Sequence, residues 1–481
     1  MAFTTLPKET LEQIMSHLDY RSLLRFGSAC RLLYEIRKAS PELQCFVELS
    51  MDGLQMPLVT SSTSHAELLS RLRDLRISWA GLDWKRFTEI EIQNEQFTMV
   101  CELAGGDSRT IEHSSLGFPI QDFAIDPAQD LIIIFEGDGS LYSLARLHIR
   151  TISTNESHPN ASQGILEFST GISIGTISRT AVAIAMDVVA LYIYDFRYTF
   201  RPRLLIWNWK NGILIQDLDF MISNYYFSLL NRDSFAITSD YQGGAIMVYS
   251  FDPCATGPSP YCLCAVLNLP ELALNITVAQ LSIQSESISS GYPEVSTFSS
   301  SPESQLLMLC LEYHISEDWD TPVRSSYHCL FVYKRTLLDY VDRFRREEEL
   351  KGAGNAQSLE VDWGSWGEMN TRLINRIFPP LWVRSVHGQR AIFNFQDDQS
   401  IDVLNFNLTS SALVSDEVSN LELHDEPSSF KSPLFRNVVC TRLPYYSTTR
   451  TVNENFNFCM IDEERIVGME TKSPTLYVYG F

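Results

Sequence analysis

Two hydrophobic periods divide the chain, and they change over near residue 87. In the first part apolar residues fall at Leu11, Ile14, Met15 and Leu18, the i, i+3, i+4, i+7 spacing of one helix face. Leu6-Pro7 stands just before them, and proline suits the first helical position because the N–H it lacks would go unpaired there. Asp19-Tyr20-Arg21-Ser22 interrupts the pattern, Leu23, Leu24 and Phe26 resume it, and Gly27-Ser28 breaks it again. Ala29, Cys30, Leu32, Leu33 and Ile36 then form a third segment that ends near Ser40-Pro41. Residues 4–43 therefore predict three short amphipathic helices. A fourth comes next over 40–54, with Ser40 as N-cap, Pro41 in the first turn and apolar Leu43, Phe46, Val47 and Leu49. A fifth starts at the capping-box spacing Ser64-His65-Ala66-Glu67 and runs through Leu68, Leu69, Leu72, Leu75 and Trp79 to Gly81-Leu82. Trp79 and Trp84 are expected to seat it on the next part of the chain.

Beyond Phe87 the period is two, with strand pairs separated by turn residues. Such units span Phe118 to Leu147, Thr180 to Tyr194 around Asp187, Phe227 to Phe251, Leu306 to Tyr340, Val383 to Phe406 and Phe456 to Phe481. Arg203 to Leu218 is two strands about Asn211-Gly212, and Asn-Gly is the strongest short hairpin signal. Trp207-Asn208 stands where WD-repeat blades have Trp-Asp. The predicted fold class is α+β multidomain: all-α helices and a helical linker, then an all-β domain of β-propeller type, with paired β-sandwiches as the lesser alternative. The expected divisions are 1–45, 46–87 and 88–481. The terminal strand would close the ring by pairing with an early strand such as Phe97 to Leu103. The 394 residues after Phe87 (481 minus 87) would make about nine blades at about 40–45 residues each, above the usual four to eight. Insertions are therefore expected. One is the Ser-rich 282–304, read as an extended or disordered loop, and the other is 341–372, opening with the charged VDRFRREEELK as a solvated helix.

Charge narrows the partners. The chain is acidic, with a formal net charge of −22. Residues 1–45 hold six basic and five acidic side chains, so +1, which leaves −23 on the rest. A surface that binds phosphates needs clustered Lys and Arg, so nucleic acid and anionic membranes are excluded as expected partners. Basic partners would gain from long-range attraction that weakens with salt. No run of 18 uncharged apolar residues occurs, and MAFTTLPKE lacks the features of a secretory leader, so a cytosolic or nuclear chain is expected. In that setting the ten scattered cysteines read as free thiols, and the Asn155, Asn160, Asn275 and Asn407 sequons as unmodified. With no CxxC, no HExxH and nine dispersed histidines, no metal and no cofactor is expected.

Catalytic signals are sparse. Gly171-Ile-Ser173-Ile-Gly175 matches a nucleophile-elbow pattern, but the strand-like run after it is wrong for a strand-to-helix elbow. Acidic groups at Asp397-Asp398 and Asp462 to Glu464 read as solvated turns. No catalytic residue is nominated, and a hydrolase with an accessory helical domain is the weakest alternative.

Leu6, Pro7, Leu11, Ile14, Leu18, Ser22, Leu23, Leu24, Arg25, Ala29, Cys30, Arg31, Leu33 and Tyr34 follow the F-box motif in order, and this region resembles that family. About forty residues cannot bury so many apolar groups alone, so a partner surface is required. In the family the helices pack on the Skp-type adaptor of a cullin ubiquitin ligase. The resemblance therefore implies adaptor contacts from Leu6, Pro7, Leu11, Ile14, Leu18, Leu23, Leu24, Ala29, Cys30 and Arg31. It implies a cullin scaffold behind the adaptor and an unidentified protein substrate on the β domain. A scaffold that binds the adaptor without directing degradation is the alternative within the family, and a helical cap or helix-turn-helix the alternative outside it. The whole chain resembles fungal F-box proteins with a β-rich C-terminal region. Trp366-Gly367, Arg384-Ser-Val-His-Gly388 and Asp462-Glu-Glu-Arg465 share the look of that group, without a role to transfer.

Overall fold

The computed structural model describes residues 6–55, 64–91, 97–102, 108–113, 116–137, 144–169, 179–194, 202–219, 226–288, 298–315, 324–352, 354, 356–376, 383–395, 399–470 and 475–481. The five N-terminal helices are α1 (Lys8–Ser16), α2 (Tyr20–Ser28), α3 (Arg31–Ala39), α4 (Pro41–Met51) and α5 (His65–Gly81). Their starts follow local chemistry. Asp19 accepts from the Arg21 and Ser22 N–H groups, and the Ser40 and Ser64 hydroxyls accept from Leu43 N and Glu67 N. Leu11, Met15, Leu23, Leu33, Ile36, Leu43 and Val47 form one small core.

Among the described residues six sheets have four or more strands, and they succeed one another along the chain. The first contains Ile120–Asp126 and ends at Ile165–Ser169, and the second runs from Arg179–Ala185 to Ile213–Asp219. The third starts at Phe227–Leu229, the fourth at Ile276–Ser285, the fifth at Val386–His387 and the sixth at Phe458–Ile461. The first strand of each sheet lies beside the first strand of the next at all five successive junctions. This is the arrangement of a six-bladed propeller, with each sheet as a blade and its first strand on the axis. Cores lie between neighbouring blades, for example Leu131, Ile133 and Leu147 of the first against Val189, Leu205 and Trp207 of the second. Gly212, at φ +74°, supplies the left-handed residue in the second-blade hairpin.

The last blade is completed by a strand from before the ring. Thr475–Gly480 pairs with Arg86–Glu91, not with the expected Phe97 to Leu103, and Phe97–Glu102 forms a separate hairpin with Ser108–His113. Arg86 and Phe87, expected in the linker, thus begin the closing strand. The six sheets fall within the usual four to eight, and long connections take up the remaining residues. The segment 282–304 is not one loop. Its first residues continue the strand Ile276–Ser285, and Ser299–Ser300 pairs with Leu54–Gln55, while 289–297 lie outside the described residues. VDRFRREEELK belongs to α6 (Lys334–Lys351), which buries Leu337, Leu338, Val341 and Phe344 and is solvated on its other face only. Beyond it Leu359–Val361 adds a parallel strand to the third blade, and α7 (Trp363–Asn370) buries Trp366.

The linker is bound to the ring as the two tryptophans suggested. Trp79 stacks on Phe481 at 4.0 Å, its Nε1 donates to the Glu463 carbonyl at 2.8 Å, and the Arg390 guanidinium lies 4.7 Å from its ring centre. Trp84 meets Tyr479 at 4.8 Å. Trp79→Ala should cost about 3–5 kcal/mol in a denaturant titration, the range for a buried large-to-small change. A loss below about 1 kcal/mol would show that the linker is not part of the β core.

Candidate functional site

Two surfaces are candidates, the helical module and the propeller axis. In the module, Leu11 and Leu23 are fully buried in its core, which corrects their expected place on a docking surface. Leu6, Ile14, Leu18, Leu24 and Cys30 are half-buried, and Pro7, Ala29 and Arg31 are exposed. Leu32 and Tyr34, at 43% and 41% exposure, add apolar surface beside them. The core is too small to cover these groups, and apolar side chains left half in water are what a partner helix would cover.

On the axis, the strands that begin blades one to five line a cavity of about 500 Å³. Its far end is crossed by the chain itself. After Ser285 the fourth blade continues to Ile288, whose N–H donates to the Ile184 carbonyl and whose carbonyl accepts from Met186 N at the end of the second-blade axial strand. Arg179, Arg384, Asp122, Glu286 and Gln284 bring polar groups to the wall, and Tyr192 and Tyr226 bring rings. Burial outweighs the hydrogen bonds to Asp122 and raises its pKa.

Behind the wall is a buried ionic cluster. Glu286 accepts from the Ser300 hydroxyl at 2.8 and 2.7 Å and from Gly388 N at 2.9 Å. The two His387 nitrogens stand 3.5 Å from Glu286 and 3.3 Å from Glu463, and Arg390 pairs with Glu463 at 3.0 Å. Burial opposes charge on His387, but Glu286 and Glu463 outweigh it and raise its pKa. Lys334, fully buried, donates to the Glu286 carbonyl at 3.0 Å and to Gln305 Oε1 at 2.6 Å. Burial is the main cause that brings its pKa down to about 7. Glu463 of the acidic turn is thus an anchor of the fold and not a solvated group. Arg384-Ser-Val-His-Gly388 and Asp462-Glu-Glu-Arg465, noted in the sequence without a role, supply the cavity wall and this cluster. Nothing in a lone sequence joins them to Glu286 and Lys334, since the contacts cross about a hundred residues.

Gly171 to Gly175 and Asp397-Asp398 lie outside the described residues. Among the described residues two Ser–His contacts occur, Ser447 with His424 at 2.8 Å and Ser326 with His328 at 3.1 Å, and neither is in the cavity wall. Among the described residues no group of three His, Cys, Asp or Glu is placed to hold a metal ion, the nine cysteines are free thiols, and no helix is long and apolar enough to cross a membrane. Asn407 is not a free sequon, because its side chain donates to the Met51 carbonyl and caps Ser410 N.

Comparison with known families agrees with the helical unit: residues 3–39 match the F-box-like family model, so the chain carries an F-box-like domain at its start. No curated protein sequence matches the chain. Several solved structures show some likeness. BamB from Moraxella catarrhalis is 8% identical, covers 82% of this chain and 100% of its own, with a TM-score of 0.31. The Cps50 (Swd1) β-propeller domain of Myceliophteria thermophila is 9% identical, covers 76% and 98%, and scores 0.30. The WD40 domain of SCAP from fission yeast is 6% identical, covers 82% and 74%, and scores 0.25. At such scores the propeller assignment stands on strand order and blade neighbours alone.

Lys334 gives a measurable signature. Folded, it titrates near 7, against 10.5 for an unburied lysine, so between these values the unfolded chain holds more protons. Raising pH through that window therefore favours the folded state. The denaturant midpoint of the natural chain should rise relative to that of Lys334→Met from pH 7 to pH 9. Parallel midpoints across that range would mean the ammonium is not desolvated.

Proposed function

We propose that the chain is the target-receptor subunit of a cullin-type ubiquitin ligase and works in the cytosol or nucleus. Its F-box-like helices dock on a Skp-type adaptor, the adaptor joins the cullin, and the β domain holds a protein target. The observation that carries this reading is the F-box-like unit at residues 3–39, with its half-buried apolar rim, fixed to a propeller that has a cavity on its axis. The chain then contributes position and no chemistry of its own. Holding a target lysine near a charged conjugating enzyme raises its effective concentration, and a rigid mount does this better than a flexible one. The apolar rim supplies affinity by leaving water on docking, at about 25 cal/mol per Å².

The test keeps the whole chain, because α4 belongs to both cores and cutting inside it would damage both. The natural chain should form a soluble 1:1 complex with the Skp-type adaptor. Ile14→Asp with Leu18→Asp should weaken it by about 100-fold or more, as two charges buried on an apolar contact cost about 3 kcal/mol or more. Its β-domain unfolding transition should stay in place. A natural chain that fails to bind the adaptor refutes the reading.

A further inference from the structure

The axial cavity differs in charge from the rest of the molecule. The chain is strongly acidic, yet Arg179 and Arg384 both line this space. They come from the second and fifth blades and meet at the same cavity. Hydrogen bonds join the blades between them. Arg179 donates to the Tyr226 hydroxyl, the Ser228 and Ser285 hydroxyls meet at 2.7 Å, and Ser385 donates to Gln284 Oε1 at 2.9 Å, linking blades two to five in turn. Among the described residues neither arginine stands within ion-pair distance of a carboxylate, and Arg384 donates to the Ser287 hydroxyl at 3.2 Å.

A third donor points the same way. Gln284 is 8% exposed and spends its Oε1 on Ser385, while its Nε2 has no acceptor. A buried donor without a partner costs about 1–3 kcal/mol, which an oxygen-bearing ligand would recover. The two wall carboxyls compensate this field poorly. Glu286 is engaged by Ser300, Gly388 and His387, and Asp122 is pushed toward its neutral form by burial. The Tyr192 and Tyr226 rings, 6.3 Å apart, form an adjoining apolar wall.

We infer that the axial cavity binds a carboxylate attached to an aromatic or apolar body, with the oxygens taken by Arg179, Arg384 and the Gln284 amide and the body against Tyr192 and Tyr226. Guanidinium forks match a carboxylate's two oxygens. The inference deepens the receptor reading, on which it rests for one point only, that the carboxylate belongs to a protein target.

The test is saturation-transfer NMR on the full chain without adaptor, using N-acetylphenylalanine, N-acetylphenylalaninamide and phenyl phosphate as probes. N-acetylphenylalanine should receive saturation and the amide should not. Arg384→Gln and Arg179→Gln should each weaken the acid about 10- to 100-fold, the usual worth of a charged hydrogen bond. Arg436→Gln, on an exposed ion pair away from the axis, should leave it unchanged. Thermal unfolding confirms that each variant is folded, and both arginines are exposed, so neither substitution empties a core. Equal binding of acid and amide, binding indifferent to both arginines, phenyl phosphate preferred by more than about tenfold, or no transfer to any probe would each overturn the inference. None of these outcomes bears on adaptor docking, which is measured separately.

Discussion

Everything in the molecule's geometry passes through one eleven-residue helix, α4. Its Leu43 and Val47 belong to the core of the helical module, and its Cys45 and Leu49 to the core shared by α5 and the last blades. Residues two apart on a helix point about 200° from each other, so these two pairs occupy opposite faces. The module cannot turn relative to the ring without exposing one pair or the other. Two hydrophobic cores therefore share a single rigid element, and the F-box-like unit is mounted on the propeller instead of tethered to it.

Polar contacts fix the angle of that mount. Arg76 of α5 is buried and pairs with Asp52 at 3.0 Å and Glu48 at 3.2 Å, so the end of α4 is held against α5. Burial raises the Asp52 pKa even beside Arg76, which means the charges are expensive to keep there. Such a pair adds little net stability but penalises every arrangement in which it is broken. The next residue, Gly53, has φ +69°, and a side chain at that position would run into Gln389 and Ser304. Its carbonyl accepts from Ser301 N at 2.7 Å and the Ser304 hydroxyl at 3.0 Å, and Leu54 then pairs with Ser300. A turn, an ion pair and a two-residue sheet define one docking register.

The range over which each contact acts decides how far it could be read in the sequence. The helices and two of their caps were legible because Ser40 and Ser64 act on residues three positions away, whereas Asp19, read only as a break, caps α2 in the same way. The Asn211-Gly212 hairpin and the strand pair around Asp187 were legible for the same reason, as was the helical core from its 3.6 spacing. Which apolar residues of the module face inward was not. Leu11 and Ile14 lie on the same predicted face, yet only packing by α2 and α3 decides that Leu11 is sealed and Ile14 is not. Ring closure by Arg86–Glu91 was missed because it joins the two ends of the β domain, where period-two patterning offers several equal candidates. The cavity was hidden more deeply: Arg179, Gln284 and Arg384 sit on separate blades, and only the packing of successive blades brings them to one space.

The linker and the cavity are built on the same residues. Ser300 pairs with Leu54 through its backbone while its hydroxyl donates to Glu286, and Gln305, which donates to Ser300, also accepts from Lys334. Glu286 in turn opens the segment that crosses the axis to Ile184 and floors the cavity. Contiguity of this kind is not by itself evidence that one site signals to the other. Its consequence is positional. The segment that lines the cavity is joined to the linker through one residue, Ser300, so few soft elements intervene between the cavity and the helical module. That stiffness arises from buried polar groups whose partners cannot be exchanged without cost.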